Sequence, residues 1–164
     1  MFDNNKNIYY GTTSSDVETK KIGSFLCQQI ITELKKTKEK NIILLEGDIG
    51  IGKTVFVKGL AKKLGIKDNV NSPTFVLLKT YQGSKYILHH LDLYRILNDN
   101  QPKNNLEMEI LELLDNTDKG DIIIIESNIN IVSFFSVWHY YIRFNFLDNQ
   151  KRFISIEKNI IEQK

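Results

Sequence analysis

The sequence predicts a three-layer α/β domain, in which helices cover both faces of a mixed central sheet that includes β-hairpins. Two apolar runs, Ile42 to Leu45 and Ile122 to Ile125, have the length and composition of buried strands. Apolar residues elsewhere recur at helical i, i+4 spacing, most clearly from Val17 to Lys36. Two polar stretches, Gln82-Gly83-Ser84 and Asp148-Asn149-Gln150, each separate two strand-like runs and indicate hairpins.

The first part of the chain predicts a short strand and a long helix. Ile8 to Tyr10 is the strand candidate, and Gly11 with the run of Thr and Ser after it is expected to end it. Ser15 or Asp16 can cap the helix that follows, which we expect to run from Val17 to about Lys36. The lysines between Lys35 and Lys40 are more typical of a helix C-terminus, where their charge complements the helix dipole, than of a nucleic-acid-binding patch.

A glycine-rich stretch follows the first apolar run and organises the rest of the chain. Gly47, Gly52, Lys53 and Thr54 match the spacing G-x-x-x-x-G-K-[ST] of the phosphate-binding loop, or P-loop. Apolar residues after Thr54 recur at helical spacing and predict the helix that must follow such a loop. Glycines let backbone N–H groups close on phosphate oxygens, and the helix adds the positive end of its dipole. The sequence therefore predicts a P-loop NTPase-like domain that binds a nucleoside triphosphate.

The second half of the chain predicts one more helix and five further strands. The helix is expected around Leu106 to Leu114, where apolar residues recur on one face. The predicted strands are Phe75 to Tyr81, Lys85 to Asp92, Asp121 to Glu126, Tyr140 to Leu147 and Phe153 to Ile156.

Glu126 ends the four-isoleucine strand and is the main candidate for chemistry beside the loop. A P-loop enzyme needs a second element that holds Mg²⁺ and orients the attacking water. Glu126 could bind Mg²⁺ directly, bind it through water, or accept a proton from the nucleophilic water. Asp48 within the loop is the alternative acid, although an acid at that position more often makes local hydrogen bonds.

Two absences narrow the class of nucleotide enzyme. The sequence has no Asn-Lys-x-Asp element after the loop, so ATP is favoured over a guanine nucleotide. A small-molecule kinase usually closes an arginine-rich lid over the transferred phosphoryl group. This chain has only Arg95, Arg143 and Arg152, which are scattered along the sequence, so a kinase is disfavoured.

Composition points to one globular domain, residues 1–164, because the chain shows no repeat, linker or composition break. A formal net charge of +2 is too small to indicate nucleic acid as the main partner. The single cysteine, Cys27, indicates a reducing compartment and is expected to be a core residue. The N-terminus lacks a signal-peptide pattern, and no apolar run approaches the ~20 residues of a membrane span, so we expect a soluble cytoplasmic protein.

Three further blocks of sequence accompany the loop. Ser72-Pro73-Thr74-Phe75 follows its helix, His90-Leu91-Asp92-Leu93-Tyr94-Arg95 ends a predicted strand, and Ile125-Glu126 ends a later one. In this order the blocks resemble the TsaE (YjeE) family of bacterial ATPases. That family has a Gly-Asp-x-Gly-x-Gly-Lys-Thr loop, then Ser-Pro-Thr-Phe, His-x-Asp-Leu-Tyr-Arg and Ile-Glu-Trp. The resemblance runs from about Thr19 to Glu126.

The resemblance implies a subunit that binds and hydrolyses ATP and is required for threonylcarbamoyladenosine modification of tRNA. Such a subunit acts on a complex of TsaD and TsaB, so tRNA would be met only indirectly, and its weak intrinsic activity would be stimulated by these partners. The implied cofactors are ATP and Mg²⁺. The implied metal ligands are Thr54 and Glu126, the implied catalytic residues are Lys53, Asp92 and Glu126, and the implied nucleotide-binding residues are Thr19, Asp48, Ile49, Gly50, Ile51, Gly52, Lys53, Thr54 and Thr74.

Several of these residues also have plain structural interpretations. Thr74 could be a strand-start hydroxyl, and Asp92 could be a buried acid paired with Arg95. His90 is expected to pack and to hydrogen-bond locally, with His89 on the other side of the strand.

One position departs from the family pattern, because Ser127 stands where the family has a tryptophan after the acid. A weaker ATPase or an altered docking surface would follow from that change. Two other functions stay open, a small-metabolite P-loop kinase and a nucleotide-gated binding module whose hydrolysis is vestigial.

Overall fold

The structure is a computed structural model that describes residues 5–73, 77–94, 97, 103–148 and 150–160. Within these residues the chain forms seven strands, three α-helices and a short 3-10 helix at Val132–Phe134. In chain order they are β1 Asn5–Thr13, α1 Asp16–Thr37, β2 Asn41–Glu46, α2 Lys53–Lys63, β3 Leu78–Gln82, β4 Ile87–Asp92, α3 Lys103–Asp115, β5 Ile122–Ser127, β6 Tyr140–Phe146 and β7 Arg152–Asn159.

The seven strands form one mixed sheet in the order β1-β7-β6-β2-β5-β4-β3. The four central strands are parallel, since β2 pairs with both β5 and β6, and β5 also pairs with β4. The outer pairs β3–β4, β6–β7 and β1–β7 are antiparallel. Both predicted hairpins are therefore confirmed, and the isoleucine strand β5 lies directly beside β2, which leads into the glycine-rich loop.

Helices pack against both faces of the sheet, which confirms the three-layer prediction. Alternate residues of β2 and β5 enter two separate apolar clusters. Ile43 and Ile124 face α1 and α2, whereas Leu44 and Ile125 face α3. Because strand residues alternate between faces, the even-numbered positions of β5, including Glu126, face the helix that follows the loop.

Helix α1 has the termini that its sequence indicates. The Ser15 side chain accepts a hydrogen bond from the Glu18 N–H at 3.2 Å and serves as the N-cap. At the other end Lys38 adopts a left-handed conformation with φ of 57°. Lys35 and Lys36 occupy the last turn, the position predicted from the helix dipole.

Helices α1 and α2 approach closely at two glycines. A Cβ atom on Gly23 would lie 2.2 Å from the carbonyl oxygen of Phe56, and one on Gly59 would lie 2.1 Å from that of Lys20. The Ser24 hydroxyl also donates to the Gly59 carbonyl oxygen at 2.8 Å. This contact ties the helix that follows the loop to the longest helix of the described chain.

Some predicted boundaries were wrong. Gly11 does not end β1, because the strand pairs with β7 in a register that places Gly11 opposite Ile154 and continues to Thr13. β4 begins at Ile87 rather than Lys85, since the Gly83 N–H donates to the Tyr86 carbonyl and the turn extends through that residue. The first part of the strand predicted from Phe75 lies outside the described residues.

Cys27 is fully buried in α1, as predicted, and burial raises the pKa of its thiol to about 12. Among the helices that the structure describes, none combines the length and apolar character needed to cross a membrane.

Candidate functional site

The glycine-rich loop joins the carboxyl end of β2 to the first turn of α2. Gly50 and Gly52 have φ values of 76° and 111°, a region that L side chains rarely adopt. Apart from its chain neighbours, no described residue has an atom within 4 Å of the place where a Cβ on Gly50 would stand, so this part of the loop is open. Ile51 is fully buried and anchors the loop, whereas Ile49 projects into solvent. The loop therefore combines a fixed base with an accessible backbone.

Lys53 lies at the start of α2 with only 9% of its surface exposed. Its Nζ donates hydrogen bonds to the carbonyl oxygens of Gly47 and Asp48, at 2.5 and 3.1 Å. Burial lowers the pKa of Lys53, while the nearby carboxylates of Glu126, Asp92 and Asp48 oppose that shift. The ammonium group is thus folded back onto the loop, with acidic side chains nearby.

Two of those acids lie at the carboxyl ends of neighbouring parallel strands. Asp92 of β4 and Glu126 of β5 are paired in register, so both carboxylates project from the same face of the sheet. Asp92 accepts hydrogen bonds from the Ser72 hydroxyl at 3.1 Å and from the Tyr94 N–H at 2.9 Å. Only 2% of Glu126 is exposed. The predicted acids are therefore brought together beside the loop.

His90 and His89 point to opposite faces of β4, as predicted. His90 is fully buried, and its Nε2 lies 2.8 Å from Glu126 Oε1. The expectation of a local hydrogen bond for His90 was wrong, because its partner is 36 residues away in sequence. His89 instead bonds through Nε2 to Asp121 at 2.9 Å and through Nδ1 to Thr80 at 3.1 Å.

A cleft of about 300 Å³ opens between the loop and the two acids. It brings together most of the predicted site residues, namely Ile49, Gly50, Gly52, Lys53, Thr54, Asp92 and Glu126. It also adds side chains for which the sequence predicted no site role, those of Val55, Ser72 and Tyr94. Asp48 contributes its backbone carbonyl to Lys53, and Thr74 lies outside the described residues.

Thr19 lies on the other flank of the loop and does not line this cleft. Its hydroxyl is buried and lies 3.0 Å from that of Thr13. Arg152 donates to Thr19 Oγ1 at 3.1 Å and to Asp16 Oδ1 at 3.3 Å. The Arg152 guanidinium also lies 3.4 Å from the position of a Cβ on Gly52. Arg152 thus connects the start of α1 to the loop, a role that the sequence did not indicate.

Ser127 closes a tight turn directly after Glu126. Its hydroxyl accepts from the Ile129 N–H at 3.0 Å and donates to the Ile129 carbonyl at 2.9 Å. The Ser127 carbonyl accepts from the N–H of Gly47 at 3.0 Å. The residue that departs from the family pattern therefore fixes the first glycine of the loop to β5, and it also lines the cleft.

The side chains around the cleft fit a magnesium nucleotide. The hydroxyl of Thr54 and the carboxylates of Asp92 and Glu126 are oxygen donors, which Mg²⁺ prefers. In the described part of the chain no three His, Cys, Asp or Glu side chains are grouped so as to hold a metal ion by themselves. Mg²⁺ in nucleotide sites is held by one or two protein ligands together with phosphates and water, so this sparse donor set is appropriate.

A central parallel strand, a glycine-rich loop, a helix that begins with Lys-Thr and an acid on the adjacent strand define the class as P-loop-type α/β proteins. Within that class, the sequence model of the family described as "Threonylcarbamoyl adenosine biosynthesis protein TsaE" matches residues 13–154. The chain therefore belongs to the TsaE family, which acts in threonylcarbamoyladenosine biosynthesis. This confirms the resemblance that the motifs indicate.

Individual relatives agree with this assignment. A Rickettsia conorii protein named "tRNA threonylcarbamoyladenosine biosynthesis protein TsaE" is 35% identical over 149 residues, covering 90% of this chain and 77% of that protein. The Bacillus subtilis protein of the same name is 45% identical over 64 residues, 39% of this chain and 40% of that protein. The crystal structure of YdiB from Bacillus subtilis matches with a TM-score of 0.68 at 24% identity, covering 94% of this chain and 87% of that one, and supports the fold.

Proposed function

We propose that this chain binds and hydrolyses ATP as the subunit that acts on a TsaD–TsaB complex during threonylcarbamoyladenosine modification of tRNA. One observation carries the proposal: Lys53 of the loop and the carboxylates of Asp92 and Glu126 line a single cleft. Membership of the TsaE family supplies the pathway in which such a site would be used.

Each part of the loop would contribute to holding the phosphates. The backbone N–H groups between Asp48 and Thr54 and the N-terminus of α2 present partial positive charge to an anion. Lys53 would exchange its two carbonyl partners for phosphate oxygens, which hold an ammonium group more strongly because they are charged. We expect this exchange to restore the ordinary pKa of Lys53, which burial lowers.

The carboxylates beside the loop would serve the hydrolytic step. Thr54 and Glu126 are the residues that would hold Mg²⁺, which neutralises charge that develops on the phosphate oxygens. Glu126 can also accept a proton from the attacking water, since its carboxylate borders the cleft. Asp92 is held by Ser72 and the Tyr94 N–H and would orient the water or the metal's hydration shell.

The two arginines that the structure describes argue against the alternative of a small-metabolite kinase, whereas Arg95, and with it the suggested pairing of Asp92 with Arg95, lies outside the described residues. Arg143 forms an ion pair with Glu157, and Arg152 contacts Asp16 and Thr19. Neither side chain is among those that line the cleft, and both are engaged in these contacts, which disfavours an arginine-rich lid over a transferred phosphoryl group. Phosphoryl transfer to a metabolite, with no response to TsaD and TsaB, would favour the kinase. Normal ATP affinity without turnover, even with these partners, would favour the nucleotide-gated module.

ATP titration of matched lysine variants tests the nucleotide site. Lys53→Ala should weaken ATP binding by about 100-fold or more, because the phosphates lose a charged hydrogen-bond donor. Lys62→Ala is the control, since Lys62 lies in the last turn of the same helix and is exposed. Calorimetry would give both affinities, and thermal melting would check folding. Unchanged ATP affinity in folded Lys53→Ala would contradict the assignment of the loop.

A further inference from the structure

His90 lies beneath the cleft and has no access to it. The side chain is fully buried, and the residues that line the cleft do not include it. Its Nε2 is 2.8 Å from Oε1 of Glu126, in a contact where both side chains are almost completely buried. An ionised carboxylate can only accept hydrogen bonds, so in this contact the Nε2–H group of His90 is the donor and Oε1 of ionised Glu126 is the acceptor.

The other ring nitrogen shows that packing alone does not explain this histidine. Nδ1 of His90 is buried and has no hydrogen-bond partner among the described residues. Burying an unpaired polar atom costs free energy that an apolar residue of similar size would avoid. Leu88, two residues earlier on the same face of β4, is such an apolar residue. The polar contact that His90 does make is therefore directed specifically at Glu126.

We propose that His90 is a positioning residue, which holds Oε1 of Glu126 so that the rest of its carboxylate stays directed into the cleft. A glutamate side chain has several rotatable bonds, and a buried donor restricts them to one arrangement. This inference rests on the proposed function, because it concerns the acid assigned to Mg²⁺ and water. It predicts that His90 affects turnover and the requirement for Mg²⁺ and leaves the nucleotide affinity of the loop unchanged.

Two amide variants separate a positioning role from packing. In His90→Gln the side-chain amide nitrogen can occupy the place of Nε2 and donate to Glu126. In His90→Asn the shorter amide reaches only the place of Nδ1, so the donor to Glu126 is lost. Both replacements are uncharged, polar and smaller than imidazole, and their thermal melting would be compared directly. His89→Asn is the matched control on the opposite face of β4, where His89 contacts Asp121.

The variants should differ in kcat. His90→Asn should lower kcat by about 10- to 100-fold and raise the Mg²⁺ concentration for half-maximal rate, as loss of a residue that orients a ligand does. His90→Gln should stay within about threefold of wild type, because the donor is retained. Binding of a fluorescent ATP analogue without Mg²⁺ should be the same in both, and His89→Asn should leave every value unchanged.

A readout that needs no nucleotide complements the kinetics. In a nitrogen–proton NMR spectrum of the intact protein, His90 should show a hydrogen-bonded proton on Nε2. Glu126→Ala should shift the Nε2 proton. In the Glu126→Gln background, His90→Asn should cause no further loss of kcat, since residues that act through one another are not additive.

The outcomes identify which claim fails. Wild-type turnover in folded His90→Asn would overturn the positioning role of His90, as would an equal loss of kcat in the glutamine and asparagine variants. Neither result would affect the proposed function. An additive loss in the Glu126→Gln background would also overturn the positioning role. A wild-type protein that binds no ATP would instead overturn the proposed function itself.

Discussion

Glu126 and Asp92 are neighbouring carboxylates whose hydrogen-bond partners differ in kind. Glu126 meets the buried imidazole of His90, whereas Asp92 meets a hydroxyl and a backbone N–H at the surface of the cleft. Lys53 lies close enough to both acids for each to oppose the lowering of its pKa by burial. Under the proposed function we assign the two acids separate roles, with Glu126 accepting the proton of the attacking water and Asp92 orienting that water.

Replacing Glu126 by glutamine tests the first of these roles. Hydrolysis should fall by about 100-fold or more, the scale of lost acid–base assistance, while ATP affinity stays nearly unchanged. Asp48→Asn tests the alternative acid in parallel, because Asp48 is an exposed acid of the loop itself. Single-turnover kinetics and ATP titration would measure both effects. A wild-type rate in Glu126→Gln would make Asp92 the main candidate, and a loss confined to Asp48→Asn would favour the loop acid.

The close contact of α1 with α2 helps to fix the position of the loop, although it lies away from the cleft. Gly23 and Gly59 let the two helices approach until a Cβ on either would meet a backbone carbonyl of the other. Since α2 begins with Lys53, movement of this helix would carry the lysine away from the acids of β4 and β5. The two glycines therefore contribute to the site without facing it.

Gly59→Ala should destabilise the protein, although alanine usually favours a helix. The added methyl would lie 2.1 Å from the carbonyl oxygen of Lys20, so the helices must separate. Overpacking of this kind reduces the free energy of unfolding by about 1–3 kcal/mol. Lys62→Ala, on the exposed side of α2, should change it by less than about 0.5 kcal/mol. Urea unfolding measures both values, and a Gly59→Ala variant as stable as wild type would disprove the close contact.

Local patterns in the sequence predicted most of the molecule's architecture. The isoleucine run identified β5, and a glycine-rich loop between an apolar strand and a helical pattern identified β2 and α2. These predictions succeeded because strand and helix periodicity depend on residues close together in the chain. The strand end predicted at Gly11 was wrong, because glycine usually interrupts a strand, whereas here pairing with β7 continues the strand through it.

The contacts that complete the site join residues far apart in sequence and could not be predicted. Thr19 and Arg152 are separated by 133 residues, and no local pattern indicates that they meet beside Gly52. The bond between His90 and Glu126 requires β4 and β5 to be neighbours in a known register. Strand order and register arise from tertiary packing, so side chains that meet across the sheet become visible only in the folded molecule.

The most direct test of the proposed function is ATP hydrolysis by the purified chain, measured alone and with a TsaD–TsaB pair. We expect a slow basal rate that rises when the pair is added, and no hydrolysis by Lys53→Ala under either condition. A rise would also show that Ser127 is tolerated where the family pattern has tryptophan. Hydrolysis that is indifferent to TsaD and TsaB, with ATP still bound, would contradict the proposed role in tRNA modification.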